Sequence, residues 1–305
     1  MAAPRISVSG FVFTFLGAVL FSTKAVIVKK AFRDTPIDAV TLLTLRMAFS
    51  LPFFLGLAFF ASGTQKLSSL PFRKWVQVFI IGIFGYYLSS LFDFVGLQYI
   101  SAGLERLILF LYPTFTLLIN AVVYRQKVSG TQKLAVALTY LGIGMAYIGE
   151  LSIDSANGNF FLGSLLILIC AITYAIYIVG SGRLIPAVGA ARFTAYAMLS
   201  ATVGVFLHAA LKGNIHLLDS GKTMWMYGLA LALLATVIPA LLISNGMKRI
   251  GANNVAIISG IGPVSTILQA HFFLGEPVFF VQILGTALVV AGVLLIGWKR
   301  DKSAE

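Results

Sequence analysis

The chain contains one stretch of sequence twice, and the two copies lie 150 residues apart. Residues 100–142 align with residues 250–292 without a gap. The identical pairs include residues that seldom match by chance: Pro113 with Pro263, Gln132 with Gln282, and Gly142 with Gly292. Because each copy of a repeat is one structural unit, the repeat constrains the whole fold. We therefore divide the chain into two related units, residues 1–150 and residues 151–305.

The composition indicates a membrane protein. Apolar residues make up 59% of the chain and charged residues 10%, whereas about 25% of the residues of a soluble domain are charged. The net charge of +12 would suggest a nucleic-acid partner in a soluble protein. Here the basic residues lie at the ends of apolar segments, so they indicate topology. We expect the lipid bilayer as the surrounding medium and no nucleic acid.

Ten apolar segments have about the length that a helix needs to cross the hydrocarbon layer. Short links with Gly, Pro, Asn and Ser separate most of them. The fold class predicted from this pattern is an all-α polytopic membrane protein with ten transmembrane helices. The segments lie near residues 10–29, 37–61, 75–98, 102–124, 131–149, 159–181, 190–211, 223–244, 253–274 and 278–298.

The basic residues predict the orientation of these helices. The side of the membrane that holds the N-terminus carries 14 Lys and Arg residues, and the opposite side carries 6. Since Lys and Arg accumulate in cytoplasmic loops, both termini are expected in the cytoplasm, in a multi-pass protein of the inner (plasma) membrane. A unit of five helices is odd-numbered, so the second unit must be inverted relative to the first. This 5+5 inverted repeat is typical of secondary transporters.

The repeated sequence resembles the EamA domain of the drug/metabolite transporter superfamily, and two copies cover nearly the whole chain. The resemblance rests on Tyr99-Ile100-Ser101-Ala102, Pro113, Gln126 and Gln132, on Arg249-Ile250-Gly251-Ala252, Pro263, Glu276 and Gln282, and on Arg46 within Leu45-Arg46-Met47-Ala48. It implies export or import of amino acids, other metabolites or drugs. The first hairpin departs from the family pattern, with Arg125-Gln126 where Gly-Glu is usual. We therefore interpret Glu276 as a turn or packing residue.

Ionisable residues inside the membrane are candidates for the substrate site, because an unpaired charge there is costly. Arg46 is the best candidate, since an arginine can bind a carboxylate with two hydrogen bonds. Asp93 could face substrate or form an ion pair with Lys24, and Arg106 could face substrate or reach the membrane interface. Arginine and lysine exceed carboxylates by one among the five intramembrane residues Lys24, Arg46, Asp93, Glu105 and Arg106.

Aromatic and polar residues extend this candidate site. Tyr86, Ser90 and Asp93 share one helix face at spacings of four and three residues, with Tyr87 beside them. Further predicted substrate-binding positions are Tyr112, Thr116, Tyr174, Tyr177, Tyr196 and Gln269. Interfacial anchoring of the tyrosines and hydrogen bonds across helices are the alternative for each. Predicted structural or hinge positions are Pro113, Pro263, Gly260, Gly262 and Glu276.

We expect a secondary transporter of small organic metabolites, most simply an exporter (efflux carrier) of amino acids or related compounds. An uptake permease for an anionic metabolite is the alternative, with a coupling proton carried by Asp93 or Glu105, or with a counter-substrate. A membrane-embedded enzyme would need a nucleophile–base pair, a metal site or a phosphate-binding loop. None of these motifs occurs in the sequence, and we predict no cofactor and no metal. A non-transporting sensor, and a monomer or a homodimer, remain open.

The orientation can be tested with a reporter that is active only outside the cytoplasm. Fused to either terminus, it should be inactive, because both termini are predicted on the Lys/Arg-rich side. Activity of the reporter at one terminus would contradict the predicted topology.

Overall fold

The protein was analysed as a computed structural model, which describes residues 7–62, 71–151, 158–213 and 221–298. Most of these residues are helical, and this part of the chain contains no strand. The two terminal segments, whose cytoplasmic location is predicted, lie outside the described residues.

The α-helices are α1 (Val8–Asp34), α2 (Ala39–Ser62), α3 (Phe72–Gly82), α4 (Ser89–Gly96), α5 (Ala102–Leu109), α6 (Tyr112–Tyr124), α7 (Gly130–Leu151), α8 (Phe160–Val188), α9 (Ala190–Lys212), α10 (Lys222–Ala232), α11 (Ile238–Ser259), α12 (Gly262–Leu274) and α13 (Phe280–Trp298).

Seven helical stretches within the described residues are long and apolar enough to cross a membrane, and Phe280–Leu295 is a shorter apolar helix. An all-α polytopic membrane protein is therefore confirmed, whereas ten crossings in a 5+5 arrangement remain a prediction. One predicted link is wrong, because α11 continues through residues 245–252 to Ser259. Gly246 allows this continuation, since its missing side chain leaves room for Thr14 of α1 against the helix.

Both halves interrupt a helix at equivalent positions. A π-helical segment, Ile83–Leu88, joins α3 to α4, and a second one, Leu233–Val237, joins α10 to α11. Turns at Phe110–Leu111 and Gly260–Ile261 precede α6 and α12. Pro113 and Pro263 each lie in the first turn of the helix that follows, where a missing backbone N–H costs little. The 150-residue spacing of the sequence repeat therefore reappears in the helix breaks.

Helix packing between the halves follows the same spacing. The helix α2 packs along α9, and α7 packs along α13. The helix α1 contacts α11 and α12 of the second half, just as α8 contacts α4 and α6 of the first. The α7–α13 contact is close because Gly142 and Gly285 face each other's backbone, and a Cβ on either would collide with the other's carbonyl oxygen.

The helices α6 and α12 end in the same way although their sequences differ. Gly275 has φ 72° and its equivalent Arg125 has φ 52°, so both adopt the left-handed conformation. The backbone N–H of the next residue then donates to a carbonyl six residues earlier, at 3.4 Å from Gln126 to Asn120 and at 3.3 Å from Glu276 to Ala270. Arg125 is thus the one non-glycine residue with positive φ in the described part of the chain.

Substitutions at Arg125 and Gly275, which end α6 and α12, test the cost of this left-handed conformation. The left-handed conformation costs a non-glycine residue roughly 1–2 kcal/mol, while glycine loses extra entropy on folding. Arg125→Gly should therefore stabilise the protein by about 0.5–1 kcal/mol, and Gly275→Ala should destabilise it by about 1 kcal/mol. Thermal unfolding in detergent, followed by tryptophan fluorescence, measures both. A lower melting temperature for Arg125→Gly would contradict the prediction.

Candidate functional site

A lysine and two acidic residues meet in the interior of the protein. The Lys24 Nζ atom on α1 lies 2.7 Å from Asp93 Oδ2 on α4 and 3.6 Å from Glu105 Oε1 on α5. The side chains are 11%, 1% and 0% exposed, respectively. We call these three residues the charge cluster. The structure thus forms the Lys24–Asp93 ion pair that the sequence left open, and adds Glu105 to it.

The position of Glu105 is fixed by contacts at the beginning of α5. The Glu276 carboxylate, which comes from the second half, accepts hydrogen bonds from the backbone N–H groups of Ala102 (3.0 Å) and Gly103 (3.3 Å). Ser101 Oγ accepts a third bond from the N–H of Leu104 at 3.0 Å. A carboxylate is favourable there because the N-terminus of a helix carries partial positive charge. Glu276 therefore joins the two halves of the protein at the beginning of the helix that carries Glu105.

Arg46 of α2 forms a second polar centre. Its Nε donates to Thr236 Oγ1 at 2.9 Å, its Nη1 donates to Ser90 Oγ at 3.2 Å, and its guanidinium lies 5.7 Å from the ring centroid of Phe94. Arg46 is 4% exposed, and the ion pairs found among the described residues do not include it. The substrate carboxylate expected at Arg46 stays a prediction, and within the protein two hydroxyl groups and an aromatic ring supply its contacts.

Four tyrosines lie in ring contact through the first half and α8. The Tyr86 and Tyr177 rings lie 4.9 Å apart with their hydroxyl oxygens 2.9 Å apart. The Tyr177 ring stacks on that of Tyr174, with centroids 5.7 Å apart. The Tyr174 and Tyr112 rings pack edge to face, with centroids 5.1 Å apart. We call these residues the tyrosine chain. Three of them, Tyr86, Tyr112 and Tyr174, are only half-buried, so part of each ring faces space that other side chains leave open.

A guanidinium lies near each end of the tyrosine chain. Arg46 bonds to Ser90, which lies one helical turn after Tyr86. Arg106 of α5 lies over Phe110, whose ring contacts that of Tyr112 with centroids 5.9 Å apart. Arg106 is half-buried, and its guanidinium lies 5.9 Å from the ring centroid of Phe110 and against Gly262 at the beginning of α12. Its buried Nε has no hydrogen-bond partner among the described residues. Arg106 is therefore directed into the protein at the second helix break.

One helix face connects these groups. Tyr86 belongs to the tyrosine chain, Ser90 bonds to Arg46, and Asp93 belongs to the charge cluster. The π-helical segment Ile83–Leu88 carries the first of these residues and α4 carries the other two. The predicted helix face is thus the one that turns inward. A movement of this helix would affect the tyrosine chain, Arg46 and the charge cluster together.

The structure places other predicted substrate-binding residues elsewhere. The Tyr87 hydroxyl lies 2.9 Å from His208 Nδ1 on α9, and the Tyr196 ring lies 4.7 Å from that of Trp75. Gln269 donates to the Val19 carbonyl at 3.2 Å, and Thr116 donates to the Tyr112 carbonyl at 2.8 Å. These contacts join helices or bond a helix to itself. No group of three His, Cys, Asp or Glu in the described ranges could hold a metal ion.

Sequence reasoning missed Thr236, which binds Arg46. A signal was available, because Thr236 is 150 residues after Tyr86 and therefore its equivalent in the repeat. Both residues lie in π-helical segments, and π-helical turns are frequent at functional sites.

Comparisons with known proteins support transport. The EamA-like transporter family matches the chain twice, over residues 8–148 and 161–298. The chain is 32% identical over 306 residues to the uncharacterized transporter YcbK of Bacillus subtilis (strain 168), covering 99% of this chain and 96% of YcbK. It is 24% identical over 230 residues to an uncharacterized transporter of Archaeoglobus fulgidus, covering 74% of this chain and 80% of the relative.

A solved crystal structure has a similar fold. It covers 97% of this chain and 99% of its own, with a TM-score of 0.60 and 18% sequence identity. At this identity the likeness concerns the fold alone.

The charge cluster predicts unequal effects of removing its members. Lys24→Met leaves two buried carboxyl groups without a cation and should destabilise the protein by about 3–5 kcal/mol, as in other broken buried ion pairs. Asp93→Asn should cost clearly less, because Glu105 can still pair with Lys24. Thermal unfolding in detergent measures the difference. Equal losses, or a greater loss for Asp93→Asn, would show that Glu105 is not a partner of Lys24.

Proposed function

Since this chain belongs to the EamA-like transporter family, we propose that it is a secondary transporter that exports amino acids or related small metabolites by alternating access. The observation that carries this proposal is the tyrosine chain with one guanidinium near each end, located where the two repeated halves meet. The proposal includes ten crossings as a 5+5 inverted repeat, an inner (plasma) membrane location and cytoplasmic termini.

The chemistry of these groups suits an amino acid. A guanidinium binds a carboxylate through two parallel hydrogen bonds, and Arg106 has a buried N–H without a partner among the described residues. The faces of tyrosine rings attract an ammonium group and also pack against an apolar side chain. A pocket that is largely apolar with a few fixed polar groups is typical of small-molecule sites.

The helix breaks favour alternating access. Irregular backbone at membrane depth is tolerated where it is buried in protein or lines a cavity, and interrupted helices form the substrate sites of many transporters. Here the two π-helical segments and the two turns recur at the same positions of both halves. In the proposed cycle the halves exchange conformations, and the site between them opens to one side and then to the other.

The second candidate is an uptake permease for an anionic metabolite. Two guanidinium groups near the tyrosine chain favour it, because they would bind a substrate with more than one acidic group. The two candidates differ in the substrate accepted and in the direction of net transport. Exchange of labelled amino acids is therefore compared with exchange of labelled dicarboxylates in the same vesicle preparation, and the substrate that is exchanged distinguishes the two candidates.

Counterflow in proteoliposomes tests amino acid transport. Vesicles loaded with unlabelled amino acids should accumulate the labelled ones transiently, since only a carrier exchanges the two pools. Arg46→Lys should reduce this exchange roughly tenfold or more. A lysine cannot form the two parallel hydrogen bonds that an arginine makes with a substrate carboxylate, and each bond to a charged group is worth about 1.5–3 kcal/mol.

The matched control is Arg183→Lys, which changes an exposed arginine over the Tyr124 ring. It should exchange amino acids at the rate of the unmodified protein. Normal exchange by Arg46→Lys, with both proteins equally abundant in the vesicles, would exclude Arg46 from the transport site. Absence of exchange of any amino acid by the unmodified protein would contradict the proposed substrate class.

A further inference from the structure

We propose that Asp93 and Glu105 together bind one exchangeable proton beside Lys24, and that this proton is coupled to transport. The site is the charge cluster described above. The inference about coupling rests on the proposed transport function, whereas the binding of the proton can be tested without any substrate.

Within ion-pair distance the cluster holds one cation and two carboxyl groups. One ammonium group faces two carboxyl groups, and the side chains of Asp93 and Glu105 are 1% and 0% exposed. Two carboxylates that share a site with little water cannot both remain ionised at low cost. Lys24 approaches Asp93 at 2.7 Å and Glu105 only at 3.6 Å. Asp93 is therefore the ionised partner of Lys24, and Glu105 carries the proton.

The hydrogen bonds of the cluster agree with this assignment. The oxygen atoms of Glu105 and Asp93 receive no hydrogen bond from any described residue apart from their ion contacts with Lys24. A buried carboxylate normally accepts several hydrogen bonds. Both carboxyl groups lie within 3.6 Å of the same Lys24 Nζ atom. A proton on Glu105 supplies the missing donor, because it can bond to the Asp93 carboxylate.

Two arginines lie near the cluster without forming ion pairs with it. The ion pairs found within the described residues connect neither arginine to the cluster. Arg46 of α2 is bonded to hydroxyl groups, and Arg106 of α5 lies against Phe110. Cys170 of α8 also faces the cluster, and an ordinary thiol is neutral at pH 7. The groups that face Glu105 and Asp93 from the packed helices are thus Lys24, Arg46, Arg106 and Cys170.

The location of the cluster suits coupling. Asp93 lies on the helix face that carries Ser90 and Tyr86, and Glu105 lies on α5, next to Arg106. When Glu105 releases its proton to water, the O–H bond breaks and the cluster acquires one net negative charge. This charge attracts Arg46 and Arg106, the two groups proposed to hold the substrate carboxylate. Proton occupancy and substrate occupancy therefore influence each other through the same two arginines.

Infrared difference spectroscopy of the protein in lipid vesicles tests proton binding directly. A protonated carboxyl group has a carbonyl band that is absent from a carboxylate. Exposed Asp and Glu are ionised at neutral pH, so the unmodified protein should show a band that remains at neutral pH and disappears only at higher pH. Glu105→Gln and Asp93→Asn should each abolish this band, because one remaining carboxylate balances one ammonium group. Asp38→Asn, which changes a carboxylate that is 37% exposed and outside the cluster, is the matched control, in which the band should persist.

The absence of a titrating carboxyl band, or its persistence in both Glu105→Gln and Asp93→Asn, would overturn the proton site. The absence of a carboxyl band at neutral pH in the unmodified protein would overturn the site even if a variant fails to fold.

Coupling is tested in vesicles that contain a pH-sensitive dye. An amino acid gradient should move protons in the unmodified protein, whereas Glu105→Gln should still exchange labelled amino acids but move no protons. Amino acid exchange without any proton movement by the unmodified protein would overturn the coupling. A titrating band in a protein that exchanges no amino acid would support the proton site and contradict the proposed function instead.

Discussion

The cost of placing a charge in an apolar interior governs this structure. Lys24, Asp93 and Glu105 belong to three different helices, and each would be far less stable without the others. Their contacts therefore fix the relative positions of α1, α4 and α5. Glu276 extends this constraint to the second half, because its carboxylate binds the first N–H groups of α5. The interior of the first half is thus organised by charges that lipid could not accommodate.

The two halves share their helix breaks but not their buried ionisable residues. The helix breaks of the two halves coincide at the 150-residue spacing. The equivalents of Asp93 and Glu105 in the second half are Ile243 and Val255, and Tyr174 is the equivalent of Lys24. The second half therefore has no charge cluster at the equivalent positions of its similar framework. Such a combination allows the halves to exchange conformations while the ionisable groups stay at one place between them.

Much of the fold could be predicted from the sequence, because apolar length and the repeat are properties of the chain itself. The face with Tyr86, Ser90 and Asp93 was also predictable from helical spacing. The inclusion of Glu105 in the cluster and the bond from Arg46 to Thr236 were not. They depend on which helices pack together and on how each is rotated about its axis. The continuation of α11 through residues 245–252 likewise depends on its packing against α1.

Alternating access by the two halves is the central claim, and cysteine labelling tests it most directly. In a Cys170→Ala background, single cysteines in the last turn of α1 and the first turn of α8 report on the side of the membrane where both helices are predicted to open. Saturating amino acids should change the rate at which a membrane-impermeant reagent labels both, whereas Leu211→Cys, exposed at the end of α9, should label at a constant rate. Unchanged labelling of the α1 and α8 cysteines, in vesicles that exchange amino acids, would contradict the account.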